Sequence, residues 1–276
     1  MAKSEAFKVI PIKSPKMQGA FSLGKVILQC LEACGQELRD GDILVVSSKF
    51  AALAEGRYVA LNRIVPTERA VELAKKYELD SLLAELIIQE SEEILGGIPG
   101  FTLAMVKGTL APNAGIDRSN IQEGHAILYP IDPVASARKL RTYLLSHSAA
   151  FKDRKSRLGI VLSDSRITPT RLGTIGIAIS ASGFQPVIDL RGRKDLFGNE
   201  LKVTQRAIAD QLACAAQLVM GEAAEATPIV LIRGYNAEFE DKSLASMTIP
   251  FEKCLYIQGL QNPPRGENKQ ESGGEL

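Results

Sequence analysis

Asn113-Ala-Gly-Ile-Asp-Arg-Ser-Asn120 brings an acid, a base, two amides, a hydroxyl and a glycine into one short stretch. Apolar segments flank it, 101–106 and 126–129, and both read as strands. Pro112 and Gly115 oppose regular structure between them, so the polar groups are expected on a loop carried by two strands. On such a loop Asp117 could hold a hard cation, Asn120 could hydrogen-bond a ligand, and Arg118 could face an anion. The competing reading is a solvated turn closed by Asn113 and Gly115.

Working outward, the same setting recurs. Residues 43–46 are a short β-branched run that leads straight into Ser47-Ser48-Lys49, a strand end suited to a phosphate. The alternative there is that the hydroxyls simply end the strand and Lys49 is solvated. Residues 158–162 read as a buried strand that delivers Ser163-Asp164-Ser165 at its carboxyl end, so Asp164 repeats the placement of Asp117. Arg166 and Arg171 follow. Strands are also expected over 7–12, over 228–232 ending in Arg233, and over 173–183, where small and β-branched residues suit close backbone approach.

Helical spacing marks 23–38, then 67–77 and 80–89 with Thr67 and Asp80 as caps. Asp132-Pro133 opens another helix that turns Ala137, Leu140 and Leu144 inward. Thr204 is expected to cap a long helix with Ile208, Leu212, Ala215 and Val219 on its apolar face, ending at Gly221 immediately before Glu222. Residues 96–100, Gly-Gly-Ile-Pro-Gly, read as a breaker cluster, and 189–198 as a charged, turn-rich segment.

With 276 residues the chain fits one large domain or two intertwined lobes. Its net charge of +1 and lack of Trp give no signal for nucleic acid. No run is long enough for a membrane span and Met1-Ala-Lys-Ser-Glu is not a signal peptide, so a cytoplasmic location is expected. Cys30, Cys34, Cys214 and Cys254 lack metal-ligand spacing and read as structural thiols; His125 and His147 belong to no recognisable triad. The basic run 152–157 reads as a solvated link, and the Pro-, Gly- and charge-rich tail 262–276 is expected to be disordered.

Two acids at strand ends, with Glu222 after a glycine, make an oxygen-ligand set of the kind that Mg²⁺ or Mn²⁺ shares with substrate phosphates. Ser47, Ser48, Lys49 and the arginines supply anion contacts. Neither a Walker loop nor a Gly-x-Gly-x-x-Gly pattern is present. Metal and phosphate contacts without a nucleophile motif point to phosphoryl transfer or phosphate activation.

Four stretches then carry a resemblance: 40–56 (DGDILVVSSKFAALAEG), 111–120 (APNAGIDRSN), 164–183 and 195–234. In this order they resemble the coenzyme F-420-0:L-glutamate ligase family. The resemblance implies an α+β fold, with mixed and antiparallel sheets and packed helices, in an intertwined homodimer. It implies one catalytic domain over 1–261, and a GTP-dependent amide-forming ligase that adds L-glutamate to a deazaflavin precursor through an acyl phosphate. It implies two Mg²⁺ or Mn²⁺ ions per site, with K⁺ as a further ion. By position, Asp117 and Asp164 would be catalytic and hold the first ion, while Ser165 and Glu222 would hold the second. Ser47, Ser48, Lys49, Asn120 and the turn 218–225, with Met220 and Gly221, would contact the nucleotide. The chain departs from the family pattern at 52–56, where Leu53 stands in place of lysine, and at 164–171, Asp-Ser-Arg-Ile-Thr-Pro-Thr-Arg in place of Asp-Thr-x-Gly-Arg-Pro-Trp-Arg. The alternatives are a paralogue that joins an amino acid to another carboxylate and a nucleotide-binding protein without turnover.

Overall fold

The computed structural model describes residues 6–151, 156–240 and 247–262. Residues 152–155 of the expected basic link and 263–276 of the expected tail lie outside the described residues. The first elements are β1 (Lys8–Ile12), α1 (Leu23–Ala33), β2 (Asp42–Ser47), α2 (Ser48–Ala54) and β3 (Tyr58–Ala60). Then come α3 (Glu68–Tyr77), α4 (Ser81–Glu90), β4 (Glu93–Ile98), β5 (Phe101–Val106), β6 (Thr109–Pro112) and β7 (His125–Ile127). The remainder is α5 (Pro133–His147), β8 (Leu158–Ile167), β9 (Thr174–Ser182), β10 (Val187–Asp189), β11 (Gln205–Ala207), α6 (Ile208–Met220), β12 (Ile229–Arg233) and α7 (Leu255–Gln261). This is a mixed α+β fold, as expected.

The central sheet has the order β1-β12-β2-β8-β9. Its pairs are antiparallel except β2 with β8, which run parallel. Alternation along β2 sends Leu44 and Val46 to one face and Ile43 and Val45 to the other. The first face packs against Ile27, Cys30 and Leu31 of α1 and Ala137, Leu140 and Leu144 of α5. The second packs against Ile208, Leu212, Ala213 and Ala216 of α6. The sheet is therefore covered on both sides, which is why its central strands are apolar throughout. Against it stands a smaller assembly, the β4-β5-β6 sheet and the β3-β7 pair with α3 and α4, built on Leu83, Ile87, Ala104 and Val106.

Several boundaries differ from expectation. The helix expected over 23–38 stops at Ala33, because Gly35 is left-handed and Gln36 N–H turns back to Leu31 O. Thr204 caps nothing: residues 205–207 pair with 187–189 as β11, and the helix begins at Ile208. Gly96 and Gly97 are not breakers but lie inside β4, where a Cβ on Gly97 would stand 2.3 Å from Phe101 O. β8 runs on to Ile167, so Asp164 lies within the strand rather than past it. Between Leu162 and Ser163 the β8–β9 register shifts, leaving Ile179 as the extra residue of a bulge. Ile179 packs against both the central core and the smaller one. At the bulge Ala178 N–H donates to Asp210 Oδ1 of α6, 2.9 Å.

At the amino end of β2 the buried Asp42 carboxylate meets Arg233, the last residue of β12. Arg233 Nε and Nη2 donate to its two oxygens at 2.8 and 2.7 Å, and Arg39 N–H adds a third donor at 2.7 Å. Removing one partner of such a pair strands a buried charge. Arg233→Met is therefore expected to lose about 3–5 kcal/mol of stability in urea unfolding, and the double change with Asp42→Leu less than that.

Candidate functional site

The parallel pairing of β2 with β8 sets Ser47 opposite Ser163, so both strands approach the same edge together. There β2 ends and α2 begins at Ser48, while β8 continues, paired with β9. Ser48 and Lys49 thus open a helix beside Asp164 and Ser165 on the overhanging strand. Ser48 Oγ donates to Asp164 Oδ1, 3.1 Å.

Lys49 Nζ reaches the loop first quoted, lying 2.6 Å from Asp117 Oδ2 and donating to Ser119 O and Oγ. Asp117 is held by its backbone, which exchanges two hydrogen bonds with Ile127 of β7. Its Oδ1 accepts Ser119 N–H at 2.6 Å. Three residues on, Asn120 Nδ2 donates to Ala223 O in the turn after α6, 2.7 Å. Next to Ala223, Glu222 Oε1 accepts from Ser165 Oγ at 2.7 Å, as well as from Thr174 and Gln217. The contacts close a circuit through four segments: 48–49, 117–120, 222–223 and 164–165. The sequence-predicted Ser48, Lys49, Asp117, Asn120, Asp164, Ser165 and Glu222 all lie on it, and half-buried Ser47 adjoins it as the last residue of β2.

Met220 stands apart. Its side chain is buried in the core under α6, so its backbone is what it can offer a ligand. Gly221 caps α6 with φ +72°, and a Cβ there would fall 2.2 Å from the Glu225 carboxyl carbon. Glycine is what lets this turn fold so closely on itself. Beside the turn a cleft of about 440 Å³ opens between β9 and α6, bordered by Gly176, Cys214, Leu218 and Glu222.

Two further residues shape the site. The buried Tyr129 hydroxyl donates to Asp164 Oδ2. Arg166 Nε donates to the same oxygen at 3.1 Å, and its Nη2 donates to Tyr129 OH at 2.6 Å. Arg166 Nη1 is anchored on Leu110 O and Thr109 Oγ1. In the sequence Arg166 is legible only as an arginine after the acid. Its i+2 spacing within a strand, which shares a face with Asp164, was the available signal. Tyr129 had none, being one apolar residue in an apolar run.

Burial alone would raise the Asp117 carboxyl, but the Lys49 ammonium and the Ser119 hydrogen bonds outweigh it and leave it below the ordinary carboxylate value. Burial, reinforced by the Asp164 charge, pushes the Tyr129 hydroxyl far above its usual range, so it remains a donor. The donor set, Asp117, Asp164, Glu222 and the Ser165 hydroxyl, is all oxygen, which fits a hard divalent cation. Among the described residues no three of His, Cys, Asp and Glu gather in one group. The rest of such an ion's shell would come from hydroxyl, water and substrate oxygens, as is common for Mg²⁺.

Residues 11–234 match the family described as F420-0:Gamma-glutamyl ligase. The chain is 36% identical over 252 residues to the Coenzyme F420:L-glutamate ligase of Methanocaldococcus jannaschii, covering 90% of this chain and 96% of that one. It is 39% identical over 201 residues to the protein of the same name from Archaeoglobus fulgidus, covering 73% and 78% of the two chains. With that of Methanopyrus kandleri it shares 40% over 205 residues, covering 74% and 79%.

The Lys49–Asp117 pair has a pH signature. A depressed carboxylate contributes stability above its ordinary pKa of 3.8, and that contribution is lost as pH falls through the lower folded value. Lys49→Met is expected to move the Asp117 carboxyl upward in a carbon-13 NMR titration and to remove that part of the acid-induced loss. An unmoved resonance would show that the ammonium does not set the Asp117 charge.

Proposed function

The chain belongs to the F420-0:gamma-glutamyl ligase family, and on that premise we propose that it joins L-glutamate to the deazaflavin precursor F-420-0 with GTP as the co-substrate, releasing GDP and phosphate. The observation that carries this reading is the closed circuit of contacts, in which hydroxyls, an amide and the Lys49 ammonium link Asp117, Asp164 and Glu222 in series across four separate segments. Residues 1–261 act in it as one catalytic unit.

In this reading Asp117 and Asp164 would hold one Mg²⁺ or Mn²⁺ ion, and Ser165 and Glu222 the second, with K⁺ as a further ion. The divalent ions would supply neutralisation of phosphate charge. Ser47, Ser48, Lys49 and Asn120 orient the nucleotide, together with the backbone of Met220 and Gly221. The cleft beside Leu218 and Glu222 gives the ligand room next to that turn. Lys49, released from Asp117, carries positive charge to the phosphates. The substrate carboxylate attacks the γ-phosphoryl group to give an acyl phosphate and GDP. The α-amine of glutamate then attacks the acyl carbon, and phosphate leaves as the amide forms. The chain's contribution is positioning and charge, which is what phosphoryl transfer requires.

We further propose a homodimer. Ile98, Phe101 and Leu103 are exposed together on one face of the β4–β5 pair, which gives a partner copy apolar surface to cover. Light scattering at micromolar concentration is expected to give twice the chain mass, and a stable folded monomer would overturn this.

The activity is tested by phosphate release with GTP, Mn²⁺ and L-glutamate, with and without the deazaflavin precursor. Release that depends on the precursor is expected. Release with another carboxylate alone would favour a paralogue, and none at all a protein without turnover. In the same assay Asp164→Asn is expected to fall at least about 100-fold, since losses in the outer shell of metal sites already cost roughly 10–100-fold. Asp195→Asn, in an exposed turn, serves as the control.

A further inference from the structure

The two acids assigned to the first ion come from segments far apart in sequence, and one side chain touches Asp164 and the loop that carries Asp117. Tyr129 is buried just beyond β7. Its ring lies against the backbone of Gly115: a Cβ placed there would stand 2.3–2.6 Å from three ring carbons. Gly115 is the third of three successive left-handed residues, after Asn113 at φ +46° and Ala114 at φ +55°. Left-handed conformations are unfavourable at non-glycine residues, so such a run persists only where its surroundings hold it. Asn113 Oδ1 holds one end by accepting Thr102 N–H and Oγ–H, at 2.8 and 3.2 Å. The Tyr129 ring backs the other end. Two residues further on is Asp117, tied by its backbone to Ile127, two residues before Tyr129.

The other end of the side chain is equally committed. The Tyr129 hydroxyl and Arg166 Nε both donate to Asp164 Oδ2, while Oδ1 takes the Ser48 hydroxyl. Oδ2 is thereby turned toward the protein and Oδ1 toward the site. We propose that Tyr129 is the positioning residue of this site, fixing the Asp164 carboxylate through its hydroxyl and the Asp117 loop through its ring. The inference rests on the reading of both acids as ion ligands.

The test is Mn²⁺ binding to the nucleotide-free protein, followed by electron paramagnetic resonance, alongside steady-state kinetics and thermal unfolding. Tyr129→Phe keeps the ring and deletes the hydroxyl. It is expected to fold, to weaken Mn²⁺ binding by about 10–100-fold, and to lower kcat with KM for L-glutamate changed less than about twofold. Gly115→Ala, which keeps Tyr129 but pushes the loop off the ring, is expected to weaken Mn²⁺ binding as well. Tyr143→Phe, on α5 where the ring packs against Gly24 of α1 and touches neither acid, should match the wild type. If Asp164→Asn binds Mn²⁺ normally, the ligand reading itself fails. If Asp164→Asn loses Mn²⁺ while folded Tyr129→Phe binds it and turns over as the wild type does, the ligand reading stands and the positioning role is overturned. Should Tyr129→Phe not fold, wild-type protein labelled with carbon-13 at tyrosine Cζ decides. Mg²⁺ is expected to shift one tyrosine resonance, and an unchanged spectrum would overturn the role.

Discussion

The parallel alignment of β2 and β8 is the constraint on which the site depends. Antiparallel neighbours send consecutive loops to opposite edges of a sheet, whereas parallel neighbours end at the same edge. Here the register is Ser47 against Ser163, so the polar residues that follow each strand emerge side by side. A helix then opens on one strand while the other continues, which leaves Ser48 and Lys49 facing Asp164 and Ser165 across a short gap. The remaining two segments need only reach this edge. The 113–120 loop is brought there by the small β3–β7 pair, and the 221–225 turn by α6 lying on the sheet's second face.

Charge pairing explains how acids can be collected at one edge before any ligand arrives. Asp117 faces Lys49 and Asp164 faces Arg166 and a buried phenol, so each acid has a donor of its own. The two pairs differ in kind. Lys49 is a flexible point charge on a half-exposed acid and can be displaced. Arg166 is buried, forked and anchored on the β6 backbone, and holds its acid in one orientation. One acid is thus arranged to be released and the other to stay put.

Much of this was legible in the sequence, for identifiable reasons. Thr67, Asp80 and Asp132 cap the helices they were expected to cap, because a short polar side chain before a helix has one good use. Ala137, Leu140 and Leu144 face the core as their spacing required. The placement of acids at the ends of apolar runs singled out Asp117 and Asp164, and the fold sets both on one circuit of contacts. What was not legible depended on contacts between one element and another. Gly96 and Gly97 look like breakers until they pair with Leu103 and Thr102 of β5, where Phe101 O takes the space of a Cβ on Gly97. Thr204 looks like a cap until residues 205–207 are claimed by a strand partner. Tyr129 looks like core until its hydroxyl is followed to Asp164. In each case a partner in another element decided the outcome, near in sequence for Gly97 and distant for Tyr129, and no local pattern names that partner.

The sheet order also fixes when the molecule can finish folding. β12, residues 229–233, is inserted between β1 and β2, two of the earliest strands to be made. Until the ribosome has released Arg233, β2 has one unpaired edge, Asp42 lacks its counter-charge, and Val230 and Ile232 are missing from the second face. A nascent chain that already contains every acid of the site therefore has no closed sheet to hold them. During synthesis it exposes an apolar strand edge, the condition that favours aggregation and chaperone capture. Premature termination between 167 and 229 would yield not a partly active enzyme but an open sheet.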